Sequence, residues 1–103
     1  MTLSCSQGQT EIPREVLTHD EMVNLMIDVH LLEAKVKKLY LKQDTAQTIY
    51  NHFLDSIYSQ NNTSQEQYEK SLEFYLDEVG LYKDIYDEVV DSLLARQSKK
   101  DFH

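Results

Sequence analysis

From Thr18 onward apolar residues recur at helical spacing almost without interruption, whereas residues 1–17 show no sustained period. Apolar positions three and four apart mark amphipathic helices, each hiding a stripe from water. The first predicted helix covers about 19–41. Thr18-His19-Asp20-Glu21 has the spacing of a capping box, in which hydroxyl and carboxylate satisfy amide donors that the first turn leaves open. Leu17 and Met22 stand where a hydrophobic staple would. Met22, Val29 and Val36 recur every seven residues, as do Leu25, Leu32 and Leu39, a heptad-like seam. Val23, Ile27, Leu31, Ala34 and Leu41 form a second stripe on another side of the same helix. A surface helix needs only one stripe. This helix is therefore expected at the centre of the fold, or shared with another chain.

Asp44, with cap spacing to Gln47, places a second helix at about 45–58. Ala46, Ile49, Tyr50, Phe53, Leu54 and Ile57 form its apolar face, and Ser59-Gln60-Asn61-Asn62 closes it, because Asn tolerates the left-handed conformation that ends helices. Thr63 with Glu66 and Ser64 with Gln67 offer overlapping caps for a third helix at about 65–76. Its inward face reads Tyr68, Leu72, Tyr75 and Leu76, which leaves Phe74 off that face. A break between Asp77 and Gly80 precedes a fourth helix at about 79–96, carrying Tyr82, Ile85, Tyr86, Val89 and Leu93 and fraying near Gln97. The expected architecture is all-α, a small irregular bundle of four helices with the first one central. Residues 1–11 read as a flexible leader, 12–97 as a single helical domain and 98–103 as a frayed tail.

Composition narrows the class. The chain has 103 residues, 41% of them hydrophobic, with only two Gly and one Pro. That scarcity argues against a β-sandwich, a dinucleotide-binding loop or a phosphate loop. The net charge of −8 repels a phosphate backbone, so nucleic acid is not an expected partner. A single Cys excludes an intrachain disulfide. Charge is concentrated: from Glu66 to Asp91 nine acids face two lysines, while the first helix gathers Lys35, Lys37, Lys38 and Lys42 at its end. The acidic stretch reads first as a solvated face, and alternatively as a docking surface for a basic partner.

Several stretches carry a family likeness. Ile12-Pro13-Arg14-Glu15-Val16-Leu17 followed by Asp20-Glu21-Met22, then Asp28-Val29-His30-Leu31-Leu32-Glu33-Ala34, Ser64-Gln65-Glu66-Gln67-Tyr68 with Ser71-Leu72 and Tyr75, and Ile85-Tyr86-Asp87-Glu88-Val89 come in a fixed order. Together they resemble a small family of helical lipoproteins of the Bacteroidetes envelope that is classed as a domain of unknown function. The likeness spans about residues 12–95. It implies a helical domain but no activity, cofactor or catalytic residue. It also gives Cys5 a meaning, because Leu3-Ser4-Cys5 resembles the end of a bacterial lipoprotein signal. On that reading Cys5 is lipidated, residues 1–11 are a tether, and the protein is held at the membrane of the cell envelope. The alternative is an ordinary free thiol in a cytoplasmic protein.

Candidate chemistry is sparse. His30 with Glu33, and His52 with Asp55, are pairs three apart that face the same way on a helix. Pairs of this kind on neighbouring helices could hold Zn²⁺ or a dimetal centre, but both run in the reverse order to the usual Glu-x-x-His bundle motif. Glu33 lies within the apolar stripe and calls for a partner or a raised pKa. The seven tyrosines suggest aromatic recognition, yet most sit at core spacing, where a ring packs while its hydroxyl reaches water. No serine or cysteine has a base beside it, so no catalytic residue and no cofactor are expected. Asp44-Thr45-Ala46, Asp55-Ser56-Ile57 and Asp91-Ser92-Leu93 resemble a short bacterial O-glycosylation signal. The sequence thus points to a non-enzymatic, lipid-anchored domain that holds a partner through Ile27, Leu31 or Phe74, the partner being another protein or a second copy. Two readings stand beside it: a ligand- or metal-binding module using His30, Glu33 and nearby tyrosines, and a cytosolic helical adaptor.

Overall fold

A computed structural model describes residues 11–101, with side chains through residue 97; Cys5 and most of the leader lie outside the described residues. Four helices follow one another, α1 (His19–Lys37), α2 (Gln43–Gln60), α3 (Gln65–Asp77) and α4 (Val79–Asp101), and no strand occurs among the described residues. α1 packs against α2 and against α4, and α3 packs against α4. The molecule is the expected all-α bundle with α1 in its middle.

Residues 22–32 carry both stripes of α1 into the core. Met22, Val23, Leu25, Met26, Ile27, Val29 and Leu32 are all buried. From α4, Ile85 and Val89 are wholly buried against them. Each such side chain taken out of water stabilises the fold by about 1.5–3 kcal/mol. Ile27 is only 6% exposed, and Leu31 and Phe74 pack on the same core. Of the three expected partner contacts, Ile27 is buried within the chain, while Leu31 and Phe74 are only partly buried. Phe74 also stands edge-on to Tyr75, with ring centres 5.1 Å apart, because the crossing of α3 over the core turns its flank inward as well as its main face.

The helix ends hold the differences from expectation. α1 stops at Lys37 rather than near residue 41. Lys35 and Lys37 occupy its last turn, where cations suit the negative end of the helix dipole. Tyr40 then adopts a left-handed φ of 51°, and Leu39 and Tyr40 end up 54% and 93% exposed. Beyond Val36 the seam is only half covered, Leu39 standing at the edge of a groove against α2. α2 begins at Gln43 with Lys42 at its cap and no side-chain capping bond. Asp44 instead sits in the first turn, its carboxylate near the positive helix end and its carbonyl accepting from Thr48 Oγ1 at 3.0 Å. α2 runs on to Gln60, and Asn62, at φ 55°, makes the expected left-handed exit.

Of the two overlapping caps, Ser64 is the one formed, accepting from the Gln67 amide. Thr63 donates to the Gln67 side chain instead. Leu76, expected inward, is 53% exposed, and the fully buried Ser71 takes its place on the inner face. A single residue, Glu78, separates α3 from α4. Asp77 is the last residue of α3. α4 continues to Asp101, past the expected end near residue 96, through a stretch without Gly or Pro.

Before α1, the segment 12–17 lies down on the domain as expected, turned by the Val16 amide donating to the Pro13 carbonyl. Val16 and Leu17 are buried. The Leu17 amide donates to Ser71 Oγ at 2.8 Å, and the Leu17 carbonyl accepts from the Tyr75 hydroxyl at 2.7 Å. The Ser71 hydroxyl in turn donates to the Gln67 carbonyl at 2.7 Å. Deleting one partner of a buried hydrogen bond costs about 1–3 kcal/mol, because the other is left without water. Ser71→Ala and Tyr75→Phe should each lower the melting temperature by roughly 4–8 °C per kcal/mol for a domain of this size. Melts followed by circular dichroism that matched the wild type would show that the two bonds do not hold this segment.

Candidate functional site

Because α1 loses its cover after Leu32, a groove opens between its C-terminal half and α2. Leu31, Leu32, Val36 and Ile57 line its walls, and Leu39 and Phe53 stand at its rim. The groove encloses about 390 Å³, and Phe53 is 50% exposed. Asp28 and Lys35 also line it. Asp28 is held by Asn61, whose amide donates to it at 3.2 Å while also donating to the Ile57 carbonyl at 2.8 Å. That bridge fixes the end of α2 against α1, and with it the spacing of the groove. Of the sequence-predicted contacts, only Leu31 reaches this surface. Phe53 and Leu39 were assigned to the buried faces of their helices, and the early stop of α1 is what leaves them open.

A second, polar neighbourhood lies where Glu33 meets Tyr50. Glu33 is exposed, and the partner that its place in the stripe calls for is the Tyr50 hydroxyl of α2, with His30 beside it. His30 Nδ1 is 3.5 Å from Glu33 Oε1 and makes no hydrogen bond among the described residues. Burial raises the Tyr50 hydroxyl above its ordinary pKa, and the adjacent Glu33 carboxylate adds to the shift. Tyr68 is pushed up to about 12, chiefly by burial and then by Tyr58, Tyr50, Tyr82 and Glu33. The rings of Tyr58 and Tyr68 lie 6.0 Å apart. These phenols therefore stay protonated and can donate hydrogen bonds, but the arrangement holds no nucleophile paired with a base.

The structure does not join the two histidine–carboxylate pairs into one centre. His52 and Asp55 share a shallow depression on the outer side of α2, with His52 edge-on to Phe53 at 5.3 Å. Among the described residues, the metal-ligating group that does assemble is His19, Asp20 and Glu88, between α1 and α4. His19 and Asp20 are neighbours in sequence, but Glu88 lies 69 residues from His19, too far for spacing to reveal the group. Thr45, Ser56 and Ser92, the hydroxyls of the three glycosylation-like triplets, all lie within helices. No helix of the described residues is long and apolar enough to cross a membrane.

A family described as a domain of unknown function (DUF4296) matches residues 13–99, most of the chain, and the protein belongs to it. No curated protein and no solved structure matches the chain significantly.

Tyr68 gives the site a spectroscopic handle. Its folded pKa of about 12 lies above the unfolded value near 10. The stability linked to its retained proton is complete below pH about 10 and is lost as pH rises through about 12. Alkaline titration of tyrosinate absorbance should show a late step near pH 12 that Tyr68→Phe removes. A native titration with every tyrosine ionising near 10 would contradict the buried placement.

Proposed function

We propose that this member of the DUF4296 family is a non-enzymatic domain of the bacterial cell envelope, anchored by lipid on Cys5, that holds a protein partner in the groove between α1 and α2. The observation that supports the binding role is the groove itself: apolar walls, two half-exposed apolar side chains at the rim, and a spacing set by the Asp28–Asn61 bridge. Exposed apolar surface of this kind marks a contact site for a partner that covers it. Leu3-Ser4-Cys5 supports the anchor, since a cysteine at the end of such a signal receives acyl chains. The exposed acids along α3 and α4 keep that part of the surface solvated.

A ligand-binding role for His30, Glu33 and Tyr50 is the second reading, and the hydrogen-bonding capacity left over at His30 Nδ1 favours it.

Palmitate labelling and membrane fractionation of the full-length product test the anchor. The wild type should be labelled and sediment with membranes, and Cys5→Ala should be soluble and unlabelled. A soluble, unlabelled wild type would eliminate the anchoring. For the groove, Phe53→Glu should leave stability within about 0.5 kcal/mol, as exposed substitutions do. If the occupant is a second copy, sedimentation should show a dimer that this substitution dissolves; a strict monomer excludes a second copy as the occupant.

A further inference from the structure

Where α1 begins beside α4, side chains from two distant parts of the chain converge, His19 and Asp20 from one and Glu88 from the other. His19 Nε2 lies 2.8 Å from Glu88 Oε1 across a sequence separation of 69 residues. One ligand atom from each of His19, Asp20 and Glu88 lies within 4.8 Å of the other two. We propose that these residues form a surface site for a divalent transition-metal ion of the zinc type, clasping the start of α1 to α4.

The donor set suits such an ion. An imidazole nitrogen with two carboxylate oxygens matches borderline transition metals, whereas calcium and magnesium prefer oxygen alone. Zinc–ligand bonds of about 2.0–2.2 Å bring donors to within roughly 3–3.5 Å of one another. The present spacing therefore needs only small side-chain adjustments. Two carboxylates also balance the charge of a divalent ion. His19 and Glu88 are each partly exposed, which leaves room for water to complete the coordination.

The backbone beneath the ligands is already in place. His19 and Asp20 belong to the first turn of α1, which the Thr18–Glu21 capping box locks through bonds of 3.2 and 2.9 Å. Glu88 adjoins Val89, wholly buried in the core. Lys83, the nearest lysine along α4, is engaged by Asp87 at 2.7 Å, so Asp84, Glu88 and Asp91 give this stretch of the helix a field that draws cations. On binding, the proton that Nε2 shares with Glu88 leaves it, to solvent from an imidazolium or to Nδ1 by tautomerisation of the neutral ring, so that Nε2 gives its lone pair to the ion and Nδ1 carries the ring's one proton. Glu88 moves from the imidazole N–H to the metal. The site is separate from the groove and independent of the role proposed for it.

Calorimetric titration of the full chain with zinc chloride at neutral pH tests the proposal, with the His19 ring resonances followed by NMR. A single saturable event that shifts those resonances is expected. His19→Ala and Glu88→Gln should each weaken binding at least about tenfold while circular dichroism shows unchanged helix content, and His30→Ala should leave it intact. Bound zinc should also raise the melting temperature of the wild type by mass action. Absence of saturable uptake would overturn the site. So would uptake that survives both site variants, as a Cys5 thiolate would give, or uptake abolished by His30→Ala.

Discussion

Leu17 belongs to no helix, yet it is buried with both of its backbone polar groups. A buried amide and carbonyl without partners would cost several kcal/mol together. Here both are satisfied by side chains of one helix, Ser71 for the amide and Tyr75 for the carbonyl. The order of the bundle follows from that constraint. α3 packs on α4, and the two bonds tie the same α3 to the residue that leads into α1. The start of α1, its capping box and the staple-forming Leu17 are held in one place, so Met22 and Leu25 reach the core in register. Burial also raises the pKa of the Tyr75 hydroxyl, with the Glu21 carboxylate adding to the shift, which keeps that hydroxyl a donor.

The opposite end of α1 has no comparable tie. After Leu32 its apolar residues meet only α2, and α1 ends before the seam read from the sequence is complete. One helix thus has two halves with different duties. Its first half is closed over by the leading segment and α4 and holds the fold together. Its second half forms one wall of an open apolar groove whose width is set by the Asp28–Asn61 bridge. Substitutions in the first half should act on stability and those at the groove rim on association, since the two surfaces share few side chains.

Much of the architecture was legible because local and global signals agree in this chain. Thr18 and Glu21 form the capping box that their spacing announces, Asn62 makes the left-handed exit, and the double stripe from Met22 to Leu32 is buried on both sides. The misreadings arose where a periodic pattern outlasted its packing. Leu39 and Leu41 continue the stripes of α1, but a period shows which face is apolar and not whether a neighbour covers it. The lysines at 35, 37 and 38 carried the stop signal. Ser71 was invisible as a core residue, because its role depends on a backbone amide 54 positions away. His19 and Glu88 were missed for the same reason. The groove was half legible: Leu31 was named, while Phe53 was assigned to a buried face that α2 leaves half in water.

The central claim is that the buried bonds to Leu17 belong to the cooperative core and do not fray with the leading segment. Amide hydrogen exchange at Leu17 measures this directly. If the claim holds, the Leu17 amide exchanges only through global unfolding, as slowly as that of Leu25 in the middle of α1. Exchange of Leu17 at the rate of an open loop, with Leu25 still protected, would contradict it.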